Sequence, residues 1–198
     1  MNKAIRIIHD EHRSISAVLS GLKELAKMSR NPAVRPDFAV LRAMVYYIFA
    51  FPERMHHPKE DAHLFARLLL RDPGCRALID DLQSEHVQGA RLVRDLEEAL
   101  LEYEQTWPKG HERFAAIVES YAQFHWNHMR REEGELIPLA EKALTADDWA
   151  DIETAFAGND DPIADLREKD FDRLFQRIVG LAPAPVGLGE RWKAANPA

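Results

Sequence analysis

The sequence is poor in cysteine and has no long apolar run. Cys75 is the only cysteine among 198 residues, so an internal disulfide framework is excluded and a reducing compartment is expected. The longest apolar stretch, 43–51, is far too short to cross a membrane. Charged residues interrupt the N-terminal segment before it could serve as a secretory signal. We therefore expect a cytoplasmic protein with no membrane partner.

The chain also has no excess of positive charge. It carries 26 Lys and Arg residues against 33 Asp and Glu residues, for a formal net charge of −7. A nucleic-acid binder needs a basic surface to face the phosphates, so no nucleic-acid partner is expected. Apolar residues make up 46% of the chain, which is enough for an ordinary globular core.

Apolar residues recur at helical spacing in four segments that glycine and proline separate. No segment alternates with the period of a strand, so the sequence predicts an all-α protein. Short loops favour antiparallel packing of neighbouring helices, which gives an up-down-up-down four-helix bundle. The four helices are expected at about 5–30, 40–71, 76–103 and 111–143.

The C-terminal part of the chain is expected to add helices to this bundle. Thr145 and Asp148 form a capping box that predicts a short fifth helix, and a sixth is expected over about 164–179. Its amphipathic face offers a surface for a protein partner or a homodimer. The predicted organisation is a bundle at 1–144, a helical extension at 145–181 and a flexible tail at 182–198.

Two similar halves make up the four predicted helices. The pair Glu-His occurs in the first and third helices, and the motif His-x-x-x-Glu occurs in the second and fourth. The offsets are 74 and 72 residues, so order and spacing are nearly conserved. Each half is therefore a helical hairpin that contributes two histidines and one glutamate. These residues are His12, His56 and Glu60 in the first half, and His86, His128 and Glu132 in the second.

All six side chains fall at one depth of the bundle, roughly 15 Å from the same end at ~1.5 Å per residue. Buried carboxylates are costly unless they are paired or bind a metal. Imidazole and carboxylate donors without a thiolate suit iron or manganese better than a structural zinc site. The layer predicts two iron ions, bridged by both glutamates and an oxo or hydroxo group, with manganese or zinc as substitutes.

Other polar residues near this layer are candidates for additional roles. His57 adjoins His56, which is preferred as the ligand because the positions in step with it are more apolar. Pro58 cannot donate a helical hydrogen bond, so a kink is expected that could turn His57 inward. His125 is a candidate for an extra ligand or a supporting group. A polar second layer is expected from His9, His63 and Glu135.

These motifs resemble the bacterial hemerythrin-like (HHE cation-binding) family over about residues 3–143. The resemblance rests on 10–13, 51–61, 84–86 and 125–133. It implies a non-haem di-iron centre ligated by the six residues of the duplicated motifs. Oxygen-carrying hemerythrins use five histidines, and their third helix supplies two ligands one turn apart. Here Ala90 stands one turn after His86, so oxygen carriage would need His57 or His125 as the fifth imidazole.

The preferred function is a di-iron protein that binds, senses or detoxifies O2, NO or peroxide, in iron or redox sensing or a stress response. A ferritin-like di-iron oxidase or peroxidase is one alternative. Its Glu-x-x-His motif occurs at Glu60 and His63, but Glu135 replaces the second histidine. An interaction protein with a structural metal site is the other alternative. The duplication further predicts two nearly equivalent irons, each able to bind NO.

Overall fold

The computed structural model describes residues 2–157, 176–190 and 192, and no strand lies among them. The first helix, α1, is capped by the Asn2 side chain, which accepts a hydrogen bond from the Ala4 amide. Eight α-helices have complete described bounds: α1 (Lys3–Met28), α2 (Phe38–Ile48), α3 (His57–Lys59), α4 (Ala66–Arg71), α5 (Arg76–Thr106), α6 (His111–Arg131), α7 (Ile137–Ala143) and α8 (Ala146–Ala157).

Some of these helices join into longer rods through π-helical turns. The segments Phe49–His56 and Glu60–Phe65 connect α2, α3 and α4 into the second bundle helix. The segment Glu132–Leu136 connects α6 and α7 into the fourth. The helices α1 and α5 are each continuous, and each packs against the second and fourth bundle helices. The predicted four-helix bundle is therefore confirmed, with the two discontinuous helices on one diagonal.

A layer of buried polar residues divides the bundle interior into two hydrophobic cores. One core includes Ile15, Leu22 and Met129, and the other includes Ile8 and Leu136. The layer between them contains buried carboxylates and imidazoles: Glu11, His12, His56, His57, Glu60, His86, His125, His128 and Glu132. The two apolar cores hold this costly layer in place at a fixed depth.

The second bundle helix contributes two neighbouring histidines to the layer, next to its π-helical turns. Adjacent residues of an α-helix point about 100° apart, so the spacing of apolar residues favours only one of His56 and His57 as an inward-facing side chain. The structure buries both of them, together with Glu60. At Pro58, where the sequence predicts a kink, a short α-helical stretch lies between two π-helical segments. π-helical turns often occur at functional sites.

The helix α8 closes over one side of the bundle. Thr145 and Asp148 exchange hydrogen bonds at its start, as the predicted capping box requires. Arg71 binds the Asp148 carboxylate at 2.8 Å and thereby ties α8 to α4. Phe156 is buried at the other end of α8, where its ring lies 6.3 Å from the His56 ring, centre to centre.

Most of the predicted sixth helix, 164–175, lies outside the described residues. Residues 176–181 are helical, and Ile178 packs into the bundle core. The segment after it folds back, because the Leu188 amide donates to the Val179 carbonyl at 2.8 Å. Ala182 and Val186 contact the core, so this part of the predicted flexible tail packs against the bundle. Among described residues, no helix has the length and apolar character of a membrane span.

Candidate metal centre

Two overlapping groups of buried side chains offer donor atoms that all lie within 4.8 Å of one another in each group. We call them the first cluster and the second cluster, and Glu60 belongs to both. The first cluster consists of His12, His56, Glu60 and Glu132. The second cluster consists of His57, Glu60, His86 and His128. All six side chains expected from the duplicated motifs are thus brought into one layer, together with His57.

The Glu60 carboxylate is placed between the two clusters. Its Oε1 atom lies 3.3 Å from His56 Nε2 and 3.8 Å from His12 Nε2. Its Oε2 atom lies 3.6 Å from His86 Nε2. One carboxylate thus presents one oxygen to each half of the duplication.

Glu132 repeats this arrangement from the diagonal helix. Its Oε2 atom lies 3.4 Å from His12 Nε2. Its Oε1 atom lies 3.2 Å from His128 Nε2 and 3.6 Å from His86 Nε2. Both glutamates therefore have the placement that a bridging carboxylate between two cations needs.

The carboxylate oxygens lack the hydrogen bonds that buried polar atoms normally make. Both oxygens of Glu60 and both of Glu132 are buried without a hydrogen-bond partner, although buried polar groups are nearly always satisfied. Four unsatisfied oxygens beside four imidazole Nε2 atoms fit a pair of hard or borderline cations. The donor set therefore fits the iron pair that the sequence predicts.

Each of the four imidazoles is oriented by a second carboxylate at its other ring nitrogen. Glu11 lies 2.7 Å from His56 Nδ1, and Glu85 lies 2.8 Å from His128 Nδ1. Glu133 lies 2.8 Å from His12 Nδ1, and Asp61 lies 3.1 Å from His86 Nδ1. Such partners fix the tautomer and direct Nε2 toward a metal.

Two of these four contacts cross between the two halves of the chain. Glu11 and Glu85 orient histidines of their own half, whereas Asp61 and Glu133 orient histidines of the other half. These four carboxylates are not among the site residues expected from the sequence. A signal for them was present, since each adjoins a ligand candidate at equivalent positions of both repeats.

The electrostatics of the layer favour positive charge. Burial opposes protonation of His12, His86 and His128, yet neighbouring carboxylates outweigh it and raise the pKa of each. Asp61 and Glu132 raise the pKa of His86 to about 10, and Glu132 and Glu85 raise the pKa of His128 to about 9. Burial opposes ionisation of Glu132 as well, but the histidines hold its pKa well below the usual value. Cations bound here would replace these protons.

A polar group adjoins the second cluster and supports His57. The Glu53 carboxylate lies 3.5 Å from His57 Nδ1 and 3.4 Å from His125 Nε2, and Tyr121 donates a hydrogen bond to it at 3.2 Å. Burial raises the pKa of Glu53, but its contacts with His125 and His57 overcome this and lower it to about 2. Burial lowers the pKa of His57 well below the ordinary value. His57 is therefore a neutral imidazole, as a metal ligand must be.

Gly89 on α5 makes room for this polar group. A Cβ atom at this position would lie 2.9 Å from Glu53 Oε1, closer than such contacts allow. The equivalent residue of the first half is Ile15. The space for Glu53 therefore exists on the α5 side because that helix has a glycine there.

The remaining candidates fall at different distances from the layer. His125 is buried beside Glu53 but belongs to neither cluster. His9 lies 3.3 Å from Glu133, so it is linked to the layer through that carboxylate. His63 and Glu135 are exposed, which corrects their expected place in a polar second layer. The Glu-x-x-His motif of the ferritin-like alternative therefore turns its histidine away from the site.

The two clusters are not equivalent, contrary to the symmetry that the duplication predicts. The sequence favours His56 over His57 as the metal ligand, but both side chains lie in the layer. The residue that matches His57 in the second half is Met129. A thioether is a weak ligand for a hard cation. The second cluster thus has three imidazoles and the first has two.

Comparison with known proteins agrees with this picture. The model of the family described as hemerythrin HHE cation binding domain matches residues 3–140, which include all the residues of both clusters. The comparison with curated proteins found no match.

Proposed function

Since the chain belongs to the hemerythrin HHE cation-binding family, we propose that it is a non-haem di-iron protein that binds a small ligand such as O2, NO or peroxide. Glu60 and Glu132 hold both irons, His12 and His56 hold the first, and His57, His86 and His128 hold the second. The family match and the buried histidine and glutamate clusters support cation binding. The iron pair and the small ligand are the proposed refinements.

One observation carries this proposal: the four buried glutamate oxygens face imidazole nitrogens of both halves and have no hydrogen bond. Neutral or charged hydrogen-bonding side chains would normally satisfy such atoms. Two cations between the glutamates would satisfy all four at once. Iron suits the mixed nitrogen and oxygen set, and it supplies reversible one-electron chemistry and affinity for small diatomic molecules.

The unequal number of imidazoles assigns different roles to the clusters. His57 supplies a third imidazole to the second cluster, and Glu132 Oε1 lies 3.2 Å from His128 Nε2, so two glutamates and three imidazoles can hold the second ion. Two glutamates and only two imidazoles can hold the first ion, and a small external ligand can complete its donor set. His57 also provides the fifth histidine that oxygen carriage requires, a role that Ala90 leaves open in α5. We therefore propose one ligand per chain, rather than one at each iron.

The test is a titration of anaerobically reduced, iron-loaded protein with NO, with iron content measured on the same sample. We expect two irons and one NO per chain. The variant His57→Met gives the second cluster the side chain that Met129 provides beside the first cluster, so it is expected to take up a second NO. Electron paramagnetic resonance distinguishes the two nitrosyl populations.

Two results would contradict the proposal at different levels. A wild-type chain that binds two NO molecules would overturn the unequal roles of the clusters. A chain that binds iron at neither cluster after reconstitution would overturn the di-iron function itself. The variant His63→Ala serves as the control, because this exposed histidine lies outside both clusters.

A further inference from the structure

A groove of about 640 Å³ lies between α1 and α6, and it reaches the first cluster. His12, a member of that cluster, is part of its lining, as are Met129 and Glu133. His12 and Met129 are 2% and 6% exposed, so they form the wall between the groove and the buried layer. The floor along α1 consists of small side chains at Ser16, Ala17 and Ser20.

The duplication provides an internal comparison for this groove. The residues of the second half that match Ser16, Ala17 and Ser20 are Ala90, Arg91 and Arg94. The match of Trp126 on the groove's other wall is Arg54. Small residues thus follow His12 on α1, whereas two long arginines follow His86 on α5. The same turn of the bundle thus carries small side chains beside the first cluster and two arginines beside the second.

Met129 and His57 are matching residues of the duplication. Met129 lies between the groove and the first cluster, whereas His57 belongs to the second cluster. A methionine side chain is unbranched and flexible, so it can move aside for a small molecule at low cost. His57 is fixed instead, because it stacks on His86 with ring centres 4.2 Å apart and contacts Glu53. The first cluster therefore has a movable side chain beside it at the position where the second cluster has a fixed imidazole.

From these contacts we propose that the groove between α1 and α6 is the entry route for small molecules to the first cluster, with Met129 as its gate. The inference rests on the proposed function, and it adds the path and the residues that control it. The rim carries Arg13, Arg130 and Glu133, so the path is polar at its mouth. Small uncharged molecules such as NO and hydrogen peroxide fit both the polar mouth and the thioether gate.

The experiment measures the association rate of NO with anaerobically reduced, iron-loaded full-length protein by stopped flow. Ser16→Trp fills the groove one turn after His12 and is expected to slow association by at least about tenfold, equivalent to about 1.4 kcal/mol in the barrier. Ala90→Trp is the matched control, because Ala90 stands one turn after His86 and is also half-buried. It is expected to leave the rate unchanged. Met129→Ala removes the gate and is expected to accelerate association.

Equal rates for wild type, Ser16→Trp and Met129→Ala would overturn the entry route, while iron content and NO stoichiometry would still report on the proposed function. Equal slowing by Ser16→Trp and Ala90→Trp would also overturn it. If Ser16→Trp fails to fold, the acceleration in Met129→Ala decides the question. Iron content is measured for each variant, so that loss of metal is not mistaken for slow entry.

Discussion

The first and second clusters use the same duplicated motif but differ in what surrounds it. The first cluster is bounded by Met129 and a groove on one side and by Phe156 of α8 on the other. The second cluster contains His57, which Glu53 supports. The shared glutamates and the four paired imidazoles are nearly symmetric, whereas these surroundings are not. The repeat therefore builds the cation-binding layer, and residues just outside the repeated motif give each half its own chemistry.

Removing the two shared glutamates should abolish metal binding at both clusters, and with it any difference between them. This is the largest expected effect. The Glu60→Ala, Glu132→Ala double variant removes the four glutamate oxygens that lie between the imidazoles of the two halves. We expect iron content to fall from two ions per chain to near zero, as measured by elemental analysis. Glu135→Ala, an exposed glutamate on the fourth bundle helix, is the control and should retain its iron. Full iron occupancy in the double variant would show that the layer is not the metal centre.

Replacing the orienting carboxylates should weaken the clusters one at a time. Loss of such a partner typically reduces metal affinity about 10–100-fold. The Glu11 side chain is 10% exposed, whereas Glu85 is 23% exposed and shared with Arg131. We therefore expect Glu11→Gln to weaken the first cluster more than Glu85→Gln weakens the second. Competition with an iron chelator measures both affinities, and equal losses would show that burial does not set the strength of these contacts.

The pH dependence of stability should have opposite signs with and without metal. The raised pKa values of His86 and His128 in the metal-free protein stabilise its folded form at pH below the unfolded value of about 6.5. This contribution is lost as pH rises through about 9 and 10. Metal binding instead requires neutral imidazoles and strengthens as pH rises.

The difference in melting temperature between iron-loaded and metal-free protein should therefore widen from about pH 6.5 to pH 9. Thermal unfolding followed by circular dichroism at several pH values measures it. A gap that stays constant would mean that protons and metal do not compete for the layer.

The smallest expected effect concerns the space that favours the second cluster. Gly89→Ala would place a methyl group against the buried Glu53 carboxylate and should lower the free energy of unfolding by about 1–3 kcal/mol. Gly134→Ala meets nothing within 4 Å and should be neutral or stabilising by up to about 1 kcal/mol. Denaturant unfolding of iron-loaded protein compares the two. Equal stability of both variants would show that Glu53 shifts easily and does not hold His57 in place.

The bundle and the six repeated side chains could be read from sequence because they depend on periodicity. Helical spacing of apolar residues gives the four helices, and a repeat offset that is nearly constant places equivalent residues at one depth. Neither inference requires knowledge of side-chain rotamers. This is why His12 and His86 were expected in one layer from opposite halves.

The inward direction of His57 could not be read in the same way. Adjacent residues of a helix point about 100° apart, so the spacing of apolar residues favoured His56 alone, and it gave no sign of the π-helical segments on either side of His57. The partners of the imidazole Nδ1 atoms were also hidden, because two of the four contacts join residues more than 20 positions apart across different halves.

The crossed contacts of Asp61 and Glu133 have a consequence for how such a site can vary. Two identical hairpins related by a twofold axis would make the same crossed contacts, so a homodimer of one hairpin could build an equivalent layer. In that homodimer every substitution would appear twice, and both cations would always have the same neighbours. Joining the hairpins in one polypeptide removes this constraint. His57 and Met129 can then differ at matching positions, so one cluster can be enclosed while the other stays accessible.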